Sequence, residues 1–330
     1  MTAASSDHLR ILLTGRDGQV GRELASTLAA LGNVTATNRA ELDLTSDASI
    51  RAMVRALRPH LIVNAAAYTS VDKAESEPEL AQRINADAVA TLAAEAKAVG
   101  AAMVHYSTDY VFDGAKTAPY VEEDPTHPLS VYGQTKLAGE QALAAAGIPF
   151  LVLRTSWVYG ARGKNFLLTI LKLAADKPEL RIVADQTGAP TWSRDIAVAT
   201  ASIVKQWLPG RSNSGVYHLT AAGKTSWHGF AAEAIRIRRE MHAGQENFAR
   251  LTAISTAEYP TPAVRPRNSQ LACEKLNRVF NCRLPVWSDS LAAVMLQLDP
   301  DASQSLGPRP MIGDTSDTID TMEQSIQGKH

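Results

Sequence analysis

Leu9-Arg10-Ile11-Leu12-Leu13-Thr14-Gly15-Arg16-Asp17-Gly18-Gln19-Val20-Gly21 is the stretch that decides the fold. Its apolar start predicts a strand over Leu9–Thr14, and the glycines after it open a helix predicted over Gln19–Leu31. The Gly-x-x-Gly-x-x-Gly spacing is one residue wider in its first gap than the common dinucleotide fingerprint. The physics carries over. Small residues permit a tight turn and let backbone N–H groups approach a pyrophosphate, while the helix N-terminus adds partial positive charge. Gly15, Gly18, Gln19, Val20 and Gly21 are therefore candidate cofactor contacts, although the same turn also serves as a plain strand-to-helix corner.

Working outward, apolar runs predict further strands at Val34–Thr37, Leu61–Asn64, Met103–Ser107 and Phe150–Arg154. Helical periodicity falls at Ser46–Leu57, Glu79–Val99 and Val131–Ala146. Alternation of this kind is the pattern of an α/β, Rossmann-like doubly wound parallel sheet. After Arg154 it loosens, and turns such as Gly188-Ala189-Pro190 and Pro260-Thr261-Pro262 separate shorter pieces. Residues 1–155 thus read as an NAD(P)-binding Rossmann domain. Residues 156–298 read mainly as a smaller C-terminal substrate lobe, with some segments returning to the sheet. From 299 to 330 the chain is rich in Asp, Ser, Thr, Gly and Pro, with no aromatic residue after Trp287. Such a segment buries too little apolar surface to offset its ordering entropy, and a disordered tail is expected.

Composition sets bounds on the function. The 330 residues are 45% hydrophobic and 20% charged, with a formal net charge of −1. No basic footprint favours nucleic acid or an acidic membrane surface. The apolar stretch Ala86–Val104 is interrupted by Asp87, Glu95 and Lys97, so it does not read as a membrane span. Met1–His8 lacks the basic and apolar runs of a secretory signal. The two cysteines, Cys273 and Cys282, fit a reducing cytoplasm and form no zinc-type pair. A cytoplasmic enzyme acting on a small molecule is expected, as a monomer or weak homodimer.

The second strand bears on the cofactor. An acid at its end would grip the ribose 2′-hydroxyl of NAD, but here it ends Thr37-Asn38-Arg39. Arg39 suits a 2′-phosphate, so NADPH is preferred and NADH is the alternative. Asp43 and Leu44 fall where they approach the adenine, and Asp43 equally suits a cap. Asn64-Ala65-Ala66-Ala67 is small enough either for a cofactor to pass or for a helix to pack closely.

Tyr132 and Lys136 lie four apart on a predicted helix and share a face. A free Tyr titrates near about pH 10, and a neighbouring ammonium favours its phenolate, lowering that value towards the working range. This pairing suits carbonyl reduction, in which a developing alkoxide must receive a proton. Thr108, at the end of the preceding strand, can hydrogen-bond the same oxygen. Strand alternation lets only one of Ser107 and Thr108 face the cleft, and Thr108 is the choice.

With their neighbours these residues resemble the extended short-chain dehydrogenase/reductase family over about Leu9 to Leu296. The resemblance rests on Gly18-Gln19-Val20-Gly21-Arg22-Glu23-Leu24, Val63-Asn64-Ala65-Ala66-Ala67-Tyr68-Thr69 and Val71-Asp72-Lys73-Ala74-Glu75. It continues through Ser107-Thr108-Asp109-Tyr110-Val111-Phe112-Asp113-Gly114, Tyr132-Gly133-Gln134-Thr135-Lys136 and Arg154-Thr155-Ser156-Trp157-Val158-Tyr159. Gly188-Ala189-Pro190-Thr191 and Arg265-Pro266-Arg267-Asn268-Ser269 complete it. The resemblance implies NAD(P)H-dependent reduction of the C4 ketone of dTDP-4-dehydro-β-L-rhamnose. Alternatives are a reductase or epimerase of another nucleotide-linked 4-keto-6-deoxy sugar, and a non-catalytic NAD(P)-binding regulatory subunit. It implies Tyr132 as proton donor, Lys136 as its pKa modifier and a ribose ligand, and Thr108 as the third catalytic residue. Asp43, Leu44, Ala67, Tyr68 and Thr69 would flank the cofactor. Val71, Thr108, Asp109, Tyr132 and Trp157 would surround the substrate, with Arg265 a phosphate partner; Trp157 equally suits packing within the lobe. Some relatives hold Mg²⁺ through a Glu matching Glu23 and acids after the Gly-Ala-Pro-Thr run. Here that run continues Trp192-Ser193-Arg194-Asp195, and the arginine argues against a closed oxygen cage. No metal site is expected.

Overall fold

The computed structural model describes residues 9–242 and 248–299. The expected tail, from 300 onward, and the reading of Met1–His8 fall outside the described residues. Strand β1 (Arg10–Thr14) leads through the glycine turn into α1 (Gln19–Leu28), β2 (Asn33–Thr37), α2 (Asp47–Leu57) and β3 (Leu61–Asn64). Ser46 caps α2, its hydroxyl accepting from the Ser49 N–H. Two short helices follow, α3 (Val71–Ala74) and α4 (Pro78–Gln82), then a π-helical turn at Arg83–Asp87, α5 (Ala88–Val99) and β4 (Ala102–Thr108). A single helix was the expectation over Glu79–Val99. The widened turn instead places Asn85 so that its side chain bonds both the N–H and the carbonyl of Tyr68, at 2.9 and 3.1 Å. Helix α6 (Val131–Ala145) crosses that turn at Gly139, where a Cβ would lie 2.1 Å from the Asn85 carbonyl oxygen.

Strand β5 (Phe150–Thr155) precedes the looser half: β6 (Val158–Tyr159), α7 (Phe166–Asp176), β7 (Glu179–Val183), β8 (Thr187–Gly188) and β9 (Thr191–Trp192). Then come α8 (Ser193–Trp207), β10 (Gly215–His218), β11 (Thr225–Ser226), α9 (Trp227–Met241), β12 (Arg250–Ile254), α10 (Glu274–Phe280) and α11 (Trp287–Leu298). The main sheet is parallel, in the order β10-β5-β4-β3-β1-β2. Residues 193–218 therefore return to it: β10 pairs with β5, and α8 lies along α1, where Thr27 Oγ1 donates to the Ala197 carbonyl at 3.2 Å.

Alternation along the strands sorts the core into two layers. Ile11, Leu13, Val63, Val104 and Leu153 pack with α1 and α8 on one face. Leu12, Ile62, Met103 and Val152 pack with α2 and α5 on the other. Tyr159, Trp192, Phe230 and Leu291 form a third core beneath the second lobe. The chain reverses direction across the sheet between β1 and β3, so their C-terminal ends frame the crevice where ligands of doubly wound sheets bind.

Candidate active site

A cleft of about 860 Å³ lies over the C-terminal ends of β1, β3, β4 and β5. At its floor Gly15 has φ +74°, and a Cβ there would stand 2.8 Å from Ala66. No side chain caps α1, whose N-cap is Gly18, leaving backbone N–H groups to face an anion. Gly15, Gly18, Gln19 and Val20 line the cleft. Gly21 does not. A Cβ on it would fall 2.1 Å from the Gly15 carbonyl oxygen, so its part is to let the helix cross the turn. Gln19 also joins the two lobes, its Oε1 accepting from Asn165 Nδ2 at 3.0 Å.

At the far end, Asn38, Arg39, Asp43, Leu44 and Thr45 form the wall. Asp43 Oδ1 accepts from the Thr45 N–H at 2.9 Å and its hydroxyl at 2.8 Å, which holds the carboxyl below its usual range. The carboxylate thus caps a turn while the residue still lines the cleft. Arg39 is exposed on the rim. Ala67, Tyr68 and Thr69 line the opposite wall. The Tyr68 hydroxyl donates to Glu77 at 2.5 Å, which with burial pushes it up to about 12.

Tyr132, Lys136, Thr108 and Asp109 meet at the centre. Tyr132 and Thr108 line the same part of the cleft, and the Tyr132 ring stands edge-on to Tyr110 at 5.8 Å. Thr108 Oγ1 also donates to Asp109 Oδ1 at 3.0 Å and accepts from the Tyr110 N–H at 3.1 Å. The expected lowering of the Tyr132 pKa is not what the structure shows. Burial dominates and pushes it up to about 12, against a lowering influence of nearby Thr108. Lys136 Nζ turns elsewhere, donating to the Tyr106 carbonyl at 2.6 Å and lying 3.2 Å from His105 Nε2. Lys136 is 2% exposed, and burial lowers its pKa to about 8 although Glu140 opposes the shift. Burial raises Asp109 to about 6, with its Oδ2 lacking a partner among the described residues. Ser107 lines the cleft as well as Thr108, because the strand ends there and curls into a 3-10 turn, so strict alternation does not separate them.

The family model described as the RmlD substrate binding domain matches residues 9–299. A dTDP-4-dehydrorhamnose reductase of Burkholderia thailandensis is 49% identical over 284 residues, covering 84% of this chain and 95% of that protein. The chain belongs to the dTDP-4-dehydrorhamnose reductase family. Two solved structures named for that enzyme agree in shape. The one from Clostridium acetobutylicum has a TM-score of 0.81 at 36% identity, covering 88% of this chain and 99% of the other. The one from Bacillus anthracis, in complex with NADP, has a TM-score of 0.80 at 32% identity, with the same coverage.

On the lobe side of this dTDP-4-dehydrorhamnose reductase family member, Trp157 lines the cleft and also packs. Its ring stacks on Trp227 at 3.7 Å and 8°, while its backbone holds φ +47°. Trp227 was not legible as a site residue, since it lies seventy residues on in sequence and only the stack brings it to the cleft. Gly188 makes room for the pair, because a Cβ there would stand 2.5 Å from the Trp157 ring. Val71 lines the same side; Arg265 does not. The Arg265 guanidinium is occupied by Asp72, at 2.8 and 3.1 Å, and by the Ala263 carbonyl at 3.2 Å. It clasps the loop that carries Val71 and is not free for a phosphate. Lys164, missed in the sequence, is a cation that does line the cleft.

Proposed function

We propose that the protein reduces the C4 ketone of dTDP-4-dehydro-β-L-rhamnose to give dTDP-β-L-rhamnose. The observation that carries this reading is a tyrosine that meets Thr108 and Lys136 at the centre of a cleft whose floor is a glycine turn shaped for a dinucleotide. Nicotinamide cofactor, when bound, supplies the hydride. Gly15, Gly18, Gln19 and Val20 hold its pyrophosphate against the N-terminus of α1. Asp43, Leu44, Ala67, Tyr68 and Thr69 flank its nucleotide.

Tyr132 donates the proton that the developing alkoxide requires. A phenol raised to about 12 is fully protonated at neutral pH, which suits a donor in the reductive direction. Thr108 orients that hydroxyl and polarises the ketone. Lys136 bonds the cofactor ribose with its remaining N–H and supplies positive charge to the forming phenolate. Trp157, backed by Trp227, and Val71 and Asp109 shape the sugar pocket. The deciding experiment mixes protein, NADPH and enzymatically generated keto-sugar and follows loss of the nicotinamide absorbance. Substrate-dependent loss yielding dTDP-L-rhamnose supports the reading; protein that binds cofactor yet shows no turnover refutes it.

NADPH is the preferred cofactor, on the strength of Arg39 at the rim and the absence of an acid at the end of β2. Arg39→Ala is expected to shrink the NADPH-over-NADH ratio about tenfold or more, the scale of one charge-assisted hydrogen bond. An unchanged ratio rejects that role.

The alkaline side of the pH profile follows from Lys136. Its pKa is lowered to about 8, so the charged form holds below that value and is lost above it. In kcat/KM, which reports the free enzyme, activity is expected to fall as pH rises through about 8. A flat profile there removes Lys136's charge from the mechanism.

No Mg²⁺ is required in this reading. Asp195, after the Gly-Ala-Pro-Thr run, accepts from Ser290 Oγ at 2.5 Å, and its neighbour is Arg194, which lies over the Trp192 ring. Such a donor set does not fit a hard cation needing six or more oxygens. Turnover is expected to survive EDTA unchanged; loss restored by Mg²⁺ overturns this.

Action in the cytoplasm belongs to the same proposal, supported by two free cysteines. Among the described residues no helix is long and apolar enough to cross a membrane. A monomer or weak homodimer is proposed, since only six large apolar side chains are exposed among the described residues. Sedimentation velocity checks it, and a tight oligomer at low concentration refutes it.

A further inference from the structure

A buried polar row runs beneath Lys136 across three strands. Strand register places Thr14 of β1 beside Asn64 of β3, and Asn64 beside His105 of β4. Thr14 Oγ1 donates to Asn64 Oδ1 at 2.6 Å, and Asn64 Nδ2 lies 3.1 Å from His105 Nδ1. His105 Nε2 then lies 3.2 Å from Lys136 Nζ, which reaches the end of the row from α6. None of the four is more than 2% exposed.

The imidazole in this row carries a single proton. Burial first, and the charge of Lys136 second, hold His105 well below its ordinary pKa, so it stays neutral. One ring nitrogen donates and the other accepts. With the Asn64 amide donating to Nδ1, the proton sits on Nε2 and faces Nζ, and only an uncharged amine can accept it. An ammonium needs Nε2 as acceptor. The proton must then be on Nδ1, with the Asn64 carbonyl oxygen turned to receive it and the amide nitrogen turned to Thr14. Either arrangement gives Nζ, both imidazole nitrogens and the Asn64 amide a partner in the row; in the second, Thr14 Oγ1, which also accepts from the Ala66 N–H at 3.2 Å, accepts from the amide and turns its own proton away from Asn64.

We propose that His105 and Asn64 are positioning residues that set the charge of Lys136: the imidazole accepts from the ammonium and donates to the amine, reversing its tautomer together with the Asn64 amide. The functional weight of this rests on Lys136's role in the proposed reductase; the row itself does not. Other ionisable groups around Lys136 are accounted for. Glu140 on α6 pairs with Arg154 of β5, Asp109 after β4 accepts from Thr108, and Tyr132 on α6 stands edge-on to Tyr110. Glu75 near α3 accepts from the Val131 N–H at the start of α6. Arg83, Asp87 and Glu95 on the segments packed against α6 are engaged by Asp47, Gln82 and Arg55.

The test needs no turnover. Lys136 is titrated by NMR of its side-chain carbon and nitrogen in the cofactor-free protein, with Lys136→Met for assignment, while the imidazole nitrogens of His105 are followed over the same pH range. His105→Leu removes the acceptor and is expected to lower the Lys136 pKa by about 1–2 units. His105→Gln, whose amide oxygen can take the place of Nε2, is expected to restore most of that shift. In the wild-type protein the His105 proton is expected to move from Nδ1 to Nε2 as Lys136 loses its own. A His105→Leu value equal to wild type, or a tautomer that stays fixed through the Lys136 titration, overturns the proposal. Failure of the reductase reading would appear separately, as absent NADPH oxidation by wild-type protein with an intact His105–Lys136 titration.

Discussion

Tyr132→Phe is expected to leave cofactor affinity near wild type and to lower kcat by about 10²–10⁴-fold, the contribution of a positioned general acid. The substitution removes one oxygen and keeps the ring. The edge-on contact with Tyr110 at 5.8 Å survives, and nothing in the glycine turn is touched. What is lost is the proton donor. Because the hydroxyl acts on charge that develops only in the transition state, kcat and kcat/KM should fall together while KM changes little. Steady-state kinetics with a parallel fluorescence titration of NADPH separates the two effects. Turnover within a few-fold of wild type would remove Tyr132 from the chemistry and leave Thr108 or Asp109 to supply the proton. A matching loss of cofactor affinity would mean that the ring, and not the hydroxyl, organises the cleft.

The strands and the glycine turn were legible because their determinants are local. Each strand is a short apolar run ending at a turn, and a parallel sheet buried on both faces shows in sequence as continuous apolar stretches such as Leu61-Ile62-Val63. The Tyr132 and Lys136 spacing was legible for the same reason, since one helical turn fixes their shared face. Other features depend on residues far apart in the chain. The π turn at Arg83–Asp87 exists because Asn85 grips Tyr68 and Gly139 passes beneath it, while an alanine-rich helical pattern carries no mark of one extra residue in a turn. The raised pKa of Tyr132 arises from burial by the assembled cleft, and Lys136 is drawn away by His105 and the Tyr106 carbonyl, partners thirty residues upstream. Arg265 shows the same limit. Its sequence neighbours suggest an exposed cation, but Asp72, 193 residues away, takes the guanidinium. The return of β10 to the sheet was readable only in outline, because Gly215–His218 is too short to announce which edge it joins.

Arg154→Leu is the substitution with the largest expected effect on stability, a loss of about 3–5 kcal/mol. Arg154 of β5 and Glu140 of α6 are each 4% exposed, and they meet through two bonds, Nε to Oε1 at 2.9 Å and Nη2 to Oε2 at 2.7 Å. The guanidinium lies over the Phe112 ring at 5.1 Å. Beside it His218 is held neutral, its pKa lowered to about 3 by burial and then by the Arg154 charge. Leucine fills part of the space but leaves the Glu140 carboxylate in the interior without its bonded partner, with only the Lys136 charge one turn away, and that stranded carboxylate dominates the cost. The double variant Glu140→Leu with Arg154→Leu removes both charges and is expected to recover most of the loss, as paired buried ions are often no better than packed apolar groups. Urea unfolding of the two single variants and the double measures this as a cycle. A single-variant loss under about 1 kcal/mol would place the pair in the range of exposed, water-screened ion pairs. A double variant as unstable as the single would instead mean that the lost side-chain shape, and not the unpaired carboxylate, sets the cost. The pair also matters to the site, because Glu140 sits one turn beyond Lys136 and its charge opposes the lowering of the lysine pKa. In the double variant that opposition is gone, so the alkaline limb of kcat/KM is expected to move to lower pH even where stability has returned. A protein that is restored in folding but shifted in its pH profile would separate what the ion pair does for the fold from what it does for the reaction.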